Sequence, residues 1–376
     1  MKIKHTILVG EPMGLFIADE LGKLEDVNHF SFTTCGAELN VAIGMKRLGH
    51  DVSYMTKLGN DPFGARIVNR IKELGISTDL IQFSPEHPTG FMFKSMVTDG
   101  DPSIFYFRKG SAASTLNAED VAALDFSSYS AVHVTGITPA LSETARKAVF
   151  ALAKIAREQN LQFSFDPNLR LQLWPDHQLM AQCINSLAFQ SDLFLPGVNE
   201  AKLLMGEVEP EKIATYYLDG GAKAVVVKLG AKGAYYATRE TQGYVPGFHV
   251  EHIVDTVGAG DGFAAGVNHL GVVIPIGGYV RAASNRQNPV APNGDRLGDL
   301  ILAVDGQNNT VLNDLVCKKS FHPRFLLVVC DFKPRSSRGS GIKAGPYCFF
   351  LPRTPVLWYN PCKTHHAGCR WDCGLA

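Results

Sequence analysis

The sequence predicts an α/β fold in which a mostly parallel sheet carries helices on both faces. Three observations point there. Short apolar runs recur along residues 1–267, stretches with helical spacing of apolar residues separate them, and turn residues bound each run. Thr6 to Val9, Ser53 to Thr56, Ala131 to Val134, Phe163 to Phe165, Leu193 to Leu195 and Ala224 to Val227 suit strands buried on both faces of a sheet. Asp61 to Leu74, Leu141 to Asn160, Ala181 to Ala188 and Asn199 to Met205 read as helices. Leu141 to Asn160 shows why: Ser142 supplies a cap, Glu143 follows it, and Ala145, Val149, Leu152, Ala153 and Ala156 recur at helical spacing. Repeated β-α-β units need right-handed crossovers, which make neighbouring strands parallel.

Two segments break this rhythm. Residues 12–35 and 90–108 read as extended, with β-branched and aromatic residues (Phe30, Phe32, Thr33, Thr34; Phe91, Phe93, Phe105, Tyr106, Phe107). They predict a small β-sheet lid, with an ordinary surface hairpin as the alternative.

The chain has 376 residues, 45% of them hydrophobic and 19% charged, with a formal net charge of zero. It is long enough for one large α/β domain. The charge balance gives no argument for a nucleic-acid or membrane-surface partner. No window offers the roughly 18 consecutive apolar residues of a membrane-spanning helix. The apolar run near the start fits a buried first strand and is too short for a secretory leader, so a cytoplasmic protein is expected.

Residue usage changes after residue 267. Residues 271–376 hold 13 Lys and Arg against 6 Asp, the last glutamate is Glu251, and six of the eight cysteines follow residue 316. Gly271 and Pro275 interrupt a helix early. A helical period returns only at Thr310 to Val316, and Ser336 to Gly345 is linker-like. A domain over residues 1–267 and an irregular tail over 268–376 are expected, and we read the break as loss of the native frame near residue 268. Cys362, His365, His366, Cys369 and Cys373 fit no standard zinc spacing, so no metal site is expected there.

The string Asp255-Thr256-Val257-Gly258-Ala259-Gly260-Asp261-Gly262-Phe263-Ala264-Ala265-Gly266 carries the most chemical information. Its glycines permit a tight turn, and the apolar run behind them begins a helix. The amides of residues 258–261 then lie at a helix N-terminus, where unpaired N–H groups and the positive dipole end favour anions. A phosphoryl group in transfer suits such a nest. Asp261 at its end is placed to take the proton of an attacking hydroxyl. A bare Gly-x-Gly would read as no more than a glycine-rich helix start.

This string resembles the second signature of the PfkB (ribokinase-like) carbohydrate kinase family. Cys35-Gly36-Ala37-Glu38-Leu39-Asn40-Val41-Ala42, followed by Gly49 and Gly59, resembles the first, and the resemblance covers residues 3–267. It implies a ribokinase-like three-layer sandwich with a β-sheet lid, ATP and Mg²⁺ as cofactors, and a homodimer through the lid. Asp261 becomes the catalytic base, with Gly258, Ala259 and Gly260 as the anion nest. Gly36 and Asn40 contact sugar hydroxyls.

Within the family, Phe105-Tyr106-Phe107-Arg108-Lys109-Gly110-Ser111-Ala112-Ala113-Ser114 and Asp166-Pro167-Asn168-Leu169-Arg170 resemble segments of 2-dehydro-3-deoxygluconate (KDG) kinases. Tyr106, Arg108 and Arg170 are then substrate residues. Taken singly, either arginine reads equally well as an ordinary ion-pair residue; together they suit the carboxylate of a sugar acid, which a guanidinium holds with two parallel bonds. A fructose or ribose kinase, or a sugar-binding protein with catalysis impaired by the altered tail, is the alternative.

On the nucleotide side, Asn199-Glu200-Ala201-Lys202 resembles the family's Asn-x-x-Glu motif, with Lys202 in place of its glutamate and Glu200 as a partial substitute. Lys228-Leu229-Gly230-Ala231-Lys232-Gly233 resembles the segment that lines the ATP phosphates, which assigns Asn199, Lys228, Gly230 and Gly233 to the nucleotide. A tight strand turn with solvated lysines is the alternative for the second string.

Overall fold

The computed structural model describes residues 5–98, 102–247 and 258–273. The tail features at 310–316, 336–345 and 362–373, and positions 255–257 of the glycine-rich string, lie outside the described residues.

The chain enters through β1 (His5–Val9), leaves for the hairpin β2 (Met13–Leu21) and β3 (Phe30–Cys35), and returns through α1 (Ala37–Arg47) to β4 (Asp51–Gly59). After α2 (Pro62–Glu73) and β5 (Ile81–Ser84) it leaves again as β6 (Phe91–Met96) and β7 (Ile104–Phe107). Strand and helix then alternate through α3 (Ala118–Ala122), β8 (Tyr129–Thr135), α4 (Glu143–Glu158), β9 (Gln162–Asp166), α5 (His177–Ala188) and β10 (Leu193–Phe194). Helices α6 (Val198–Met205) and α7 (Pro210–Gly220) lead to β11 (Ala224–Lys228), the hairpin β12 (Gly233–Thr238) and β13 (Gln242–Pro246), and α8 (Ala259–Val273).

The nine-stranded sheet is ordered β13-β12-β11-β10-β9-β8-β1-β4-β5. Pairings from β11 through β5 are parallel, and only the β12 and β13 pairings are antiparallel. Alternation along the strands sorts the core into two layers. Ile7, Val9, Val132, Phe163 and Phe165 pack with Val149 and Leu152 of α4, Ile184 of α5 and Tyr217 of α7. Leu8, Val52, Tyr54 and Val226 pack on the other face with Leu39 and Met45 of α1, Ile67 and Ile71 of α2, and Ala264 and Ala265 of α8. Each fully buried side chain of this size contributes about 1.5–3 kcal/mol. Exposed ion pairs such as Lys147–Glu143 contribute roughly 0–1 kcal/mol each, so the two apolar layers hold the sandwich together.

Side-chain oxygens set the helix starts. Asp61 accepts from Gly64 N at 2.8 Å at the start of α2, and Ser142 accepts from Ala145 N at 3.0 Å at the start of α4.

Residues 12–35 and 90–108 form a four-stranded sheet ordered β3-β2-β6-β7. Its outer pairs are antiparallel and its central pair, β2 with β6, is parallel. Register places Phe16 beside Phe32 and Phe93, and Phe91 beside Phe107. These five phenylalanines therefore share one face. Met13, Leu15, Met92 and Tyr106 share the opposite, buried face.

Helices α1 and α8 cross closely. A Cβ on Gly44 would lie 2.5 Å from the Ala265 Cβ. Gly44 is one turn beyond Asn40, and Ala265 is one turn beyond Asp261, so the crossing lies directly behind that pair. Asn268 and His269, which follow the boundary read from the sequence, also pack: Asn268 Nδ2 donates to Ala264 O at 2.8 Å, and the His269 ring meets His50 at 2.8 Å. We expect Gly44→Val to cost about 1–3 kcal/mol through overpacking. Urea unfolding of the two proteins checks this, and an unchanged midpoint would contradict the close crossing.

Candidate active site

Parallel strands end on one side of a sheet, and ligand sites form outside those ends where the strand order reverses. Here β1 has β4 on one side and β8 on the other, which places the reversal beside β1. Glu11 follows β1, Asp166 ends β9 and Lys228 ends β11. The first turn of α8 holds Asp261 over these ends, after Gly258 turns with φ 86°.

Asp261 is 9% exposed. Its two carboxylate oxygens accept from two amides: Asn40 Nδ2 at 2.7 Å and Asn168 Nδ2 at 3.3 Å. Burial pushes its pKa up to about 7; the Asn40 bond opposes this, the negative charges of Asp166 and Glu38 add to it, and Arg170 opposes it. A base poised near neutrality suits proton removal from an alcohol. Asn168 holds a left-handed backbone with φ 35°. Asparagine tolerates that region better than most residues, and strain of this kind persists where surroundings fix it. The fixing contacts are Asp261 on its amide nitrogen and Arg170 Nη1 on its amide oxygen at 2.8 Å.

Beside this pair, Lys228 Nζ meets both oxygens of Asp166 at 2.8 and 2.9 Å and Glu200 at 3.6 Å. Burial lowers the Lys228 pKa, but Asp166 and Glu200 outweigh it and the net shift is upward. Burial pushes the Asp166 carboxyl up, and Lys228 opposes that shift. A Cβ on Gly260 would lie 4.0 Å from Lys228 Nζ. The ammonium therefore flanks the first turn of α8, and its charge adds to a helix N-terminus that favours anions. Among the described residues, no group of three or more His, Cys, Asp or Glu is arranged to hold a metal ion.

The lid side gathers Gly36, Tyr106 and Arg108. Gly36 precedes α1 with φ 147°, and a Cβ there would lie 2.9 Å from Glu11 O. Arg108 is 7% exposed and its Nε donates to Glu11 Oε2 at 2.7 Å. Its guanidinium carbon lies 5.5 Å from the centre of the Tyr106 ring. Burial pushes the Cys35 thiol pKa up, and the Arg108 charge opposes that shift.

The structure thus brings Asn40, Arg170, Lys228 and the Gly258-Ala259-Gly260-Asp261 turn together, with Gly36, Tyr106 and Arg108 on the lid side. Asn199 and Lys202 stand on the exposed side of α6, and Gly230 is exposed. Gly233 has φ 97° and packs against the backbone of Val245, where a Cβ would collide. Glu200 is the residue of its string that reaches the site: it accepts from Gly197 N at 2.7 Å and from Leu169 N at 3.0 Å. Asp166 and Asn168 sit within a string noted for Arg170, whose Asp-Pro-Asn start after an apolar run was the available signal. Ser111 sits within the string noted for Arg108, and Glu11 had no signal beyond the break after β1.

Fold and site together define a small-molecule kinase with a ribokinase-like architecture. Residues 4–269 match the pfkB family carbohydrate kinase model, and the chain belongs to that family. It is 45% identical over 263 residues to the 2-dehydro-3-deoxygluconokinase of Bacillus subtilis, covering 70% of this chain and 81% of that protein. A crystal structure of a PfkB protein from Polaromonas matches with a TM-score of 0.68 at 41% identity, over 74% of this chain and 92% of that one. A sugar kinase from Pyrococcus horikoshii in complex with ATP matches with a TM-score of 0.61 at 27% identity, over 70% of this chain and 83% of that one. Residues 270–376 lie beyond the family match.

A raised carboxyl pKa has two consequences of defined sign. Proton removal needs the ionised form, so kcat/KM is expected to fall as pH drops below about 7. The folded state also holds this proton more tightly than the unfolded chain. The resulting stabilisation is present at low pH and lost as pH rises through about 7. Unfolding of wild type and Asp261→Asn at pH 5 and pH 8 checks the second point: wild type should lose ground to the variant at pH 8.

Proposed function

We propose that the protein phosphorylates 2-dehydro-3-deoxygluconate from ATP at its primary hydroxyl, giving the 6-phosphate. The observation that carries this reading is a buried base, Asp261, with the half-buried Arg170 within electrostatic reach of it and a second, buried arginine, Arg108, directly after lid strand β7. A neutral sugar gives such a pair no partner, whereas a sugar acid brings a carboxylate that a guanidinium holds in two-pronged fashion. The similarity to the Bacillus subtilis enzyme supports the same substrate.

In this reading Asn40 and Asn168 orient the Asp261 carboxylate toward the sugar hydroxyl, and Asp261 removes its proton as the oxygen attacks the terminal phosphorus. The first-turn amides of α8 and the Lys228 ammonium face the phosphoryl oxygens, where negative charge is spread during transfer. Gly258, Ala259 and Gly260 leave that approach open, which fits a polyphosphate. Mg²⁺ bound with the nucleotide would supply neutralisation of phosphate charge. Asp166 and Glu200 hold Lys228 in place beside the first turn of α8. The lid covers the sugar and excludes water, the competing nucleophile. Buried, unpaired Cys35 and Cys183 agree with a reducing cytoplasm.

A homodimer through the lid belongs to the same proposal. Phe107 and Phe105 are 47% and 57% exposed on the aromatic side of the lid, and a contiguous apolar face of this kind marks an interaction surface.

Asp261→Asn is expected to lower kcat by about 10²–10⁴-fold while the affinity for 2-dehydro-3-deoxygluconate, measured by calorimetry, changes little. Near-normal turnover of the variant would defeat the assignment of the base. Phe107→Glu is expected to shift sedimentation from dimer to monomer; a wild-type chain that sediments as a monomer would remove the dimer.

A further inference from the structure

The Arg108 guanidinium is held on more sides than a surface arginine, and the holder is Glu11. Glu11 is 2% exposed and lies between the end of β1 and the start of β2, where the chain enters the lid. Arg108 and Ser111 follow β7, where the chain leaves it. One carboxylate oxygen of Glu11 accepts from Arg108 Nε at 2.7 Å and forms an ion pair with Nη2. The other oxygen accepts from the Ser111 hydroxyl. A Cβ on Gly90 would lie 2.7 Å from that second oxygen, so any larger residue there would displace the carboxylate. Gly14 N also donates to Gly90 O at 3.0 Å. The carboxylate thus ties the chain's entry to the lid before β2 to its exit after β7, with Gly90, before β6, packed against it.

The remaining geometry decides what this does for Arg108. Glu11 occupies the Nε edge of the guanidinium, and Tyr106 lies against its face. Among the described residues, Nη1 has no hydrogen-bonding partner. The end of the fork that stays available is the one that accepts a carboxylate with two parallel bonds. Lysine in place of Arg108 could not be fixed in this way, because an ammonium has neither an edge nor a face.

We propose that Glu11 is a positioning residue for substrate specificity: it fixes Arg108 so that the free end of its guanidinium meets the carboxylate of the sugar acid. The assignment rests on the substrate reading above. It makes reach, not charge, the property that matters at position 11. Glutamine has the same length, can accept from Arg108 and can donate to Ser111. Aspartate keeps the charge and falls short by one methylene.

The test uses the full 376-residue chain, with 2-dehydro-3-deoxygluconate affinity read by calorimetry and steady-state KM read for both substrates. Glu11→Ala and Glu11→Asp are expected to weaken sugar binding about tenfold or more, because the two-pronged bond loses its aim, while KM for ATP is unmoved. Glu11→Gln should recover most of the loss. In an Arg108→Ala background, Glu11→Ala should add nothing further to the sugar Kd, since both act through one contact. An equal, independent loss in that background overturns the proposal, as does a Glu11→Asp protein that binds the sugar like wild type while Glu11→Gln does not. If Glu11→Ala does not fold, the Asp and Gln pair still decides between reach and charge. A wild-type chain that binds ATP and no sugar acid defeats the substrate reading and this assignment with it. A wild-type chain that binds the sugar while no Glu11 variant alters that binding defeats this assignment alone.

Discussion

The site depends on keeping one carboxylate out of water without pairing it to a cation. Asp261 meets two neutral amides, Asn40 and Asn168, where an arginine or lysine in contact would have held it permanently ionised and weakly basic. Burial then dominates and leaves the group near pH 7. The neighbouring cations are committed elsewhere: Lys228 to Asp166 and Glu200, and Arg170 to the amide oxygen and backbone around Asn168. The arrangement separates charge handling from proton handling within a few residues.

Much of this architecture was written in periodicity. The central strands are apolar in short runs because both faces of a parallel sheet are covered, and the lid strands stood out because aromatic and β-branched residues alternate there. Helices α1, α3 and α7 were not separately recognised. Helix α1 hides within a glycine- and asparagine-bearing signature, and α7 begins at a proline and ends in Gly220 and Gly221, which blur its period. The hairpin β12–β13 was read only at its glycine turn.

The candidate site was legible where a local string carried it. The Gly258–Asp261 turn, Asn40 and Arg170 belong to short patterns whose spacing has a backbone reason. Glu11 had no such pattern, and Glu200 entered only as a partial substitute within the string that begins at Asn199. Glu11 acquires its partners only when chain segments roughly 100 residues apart close on the same hinge, and no window of sequence contains that contact. Asn199 and Glu200 are adjacent, yet a helix turns them about 100° apart, so the identity of the residue facing inward depended on where α6 began.

The crossing of α1 and α8 has one more implication. At Gly44 and Ala265 the two helices touch almost backbone to backbone, with no long side chain between them to slide or change rotamer. One turn away, the same helices carry the amide and the carboxylate that must stay in contact. Their spacing is therefore gauged by main-chain thickness, a dimension that thermal motion changes little and that most amino-acid replacements can only enlarge.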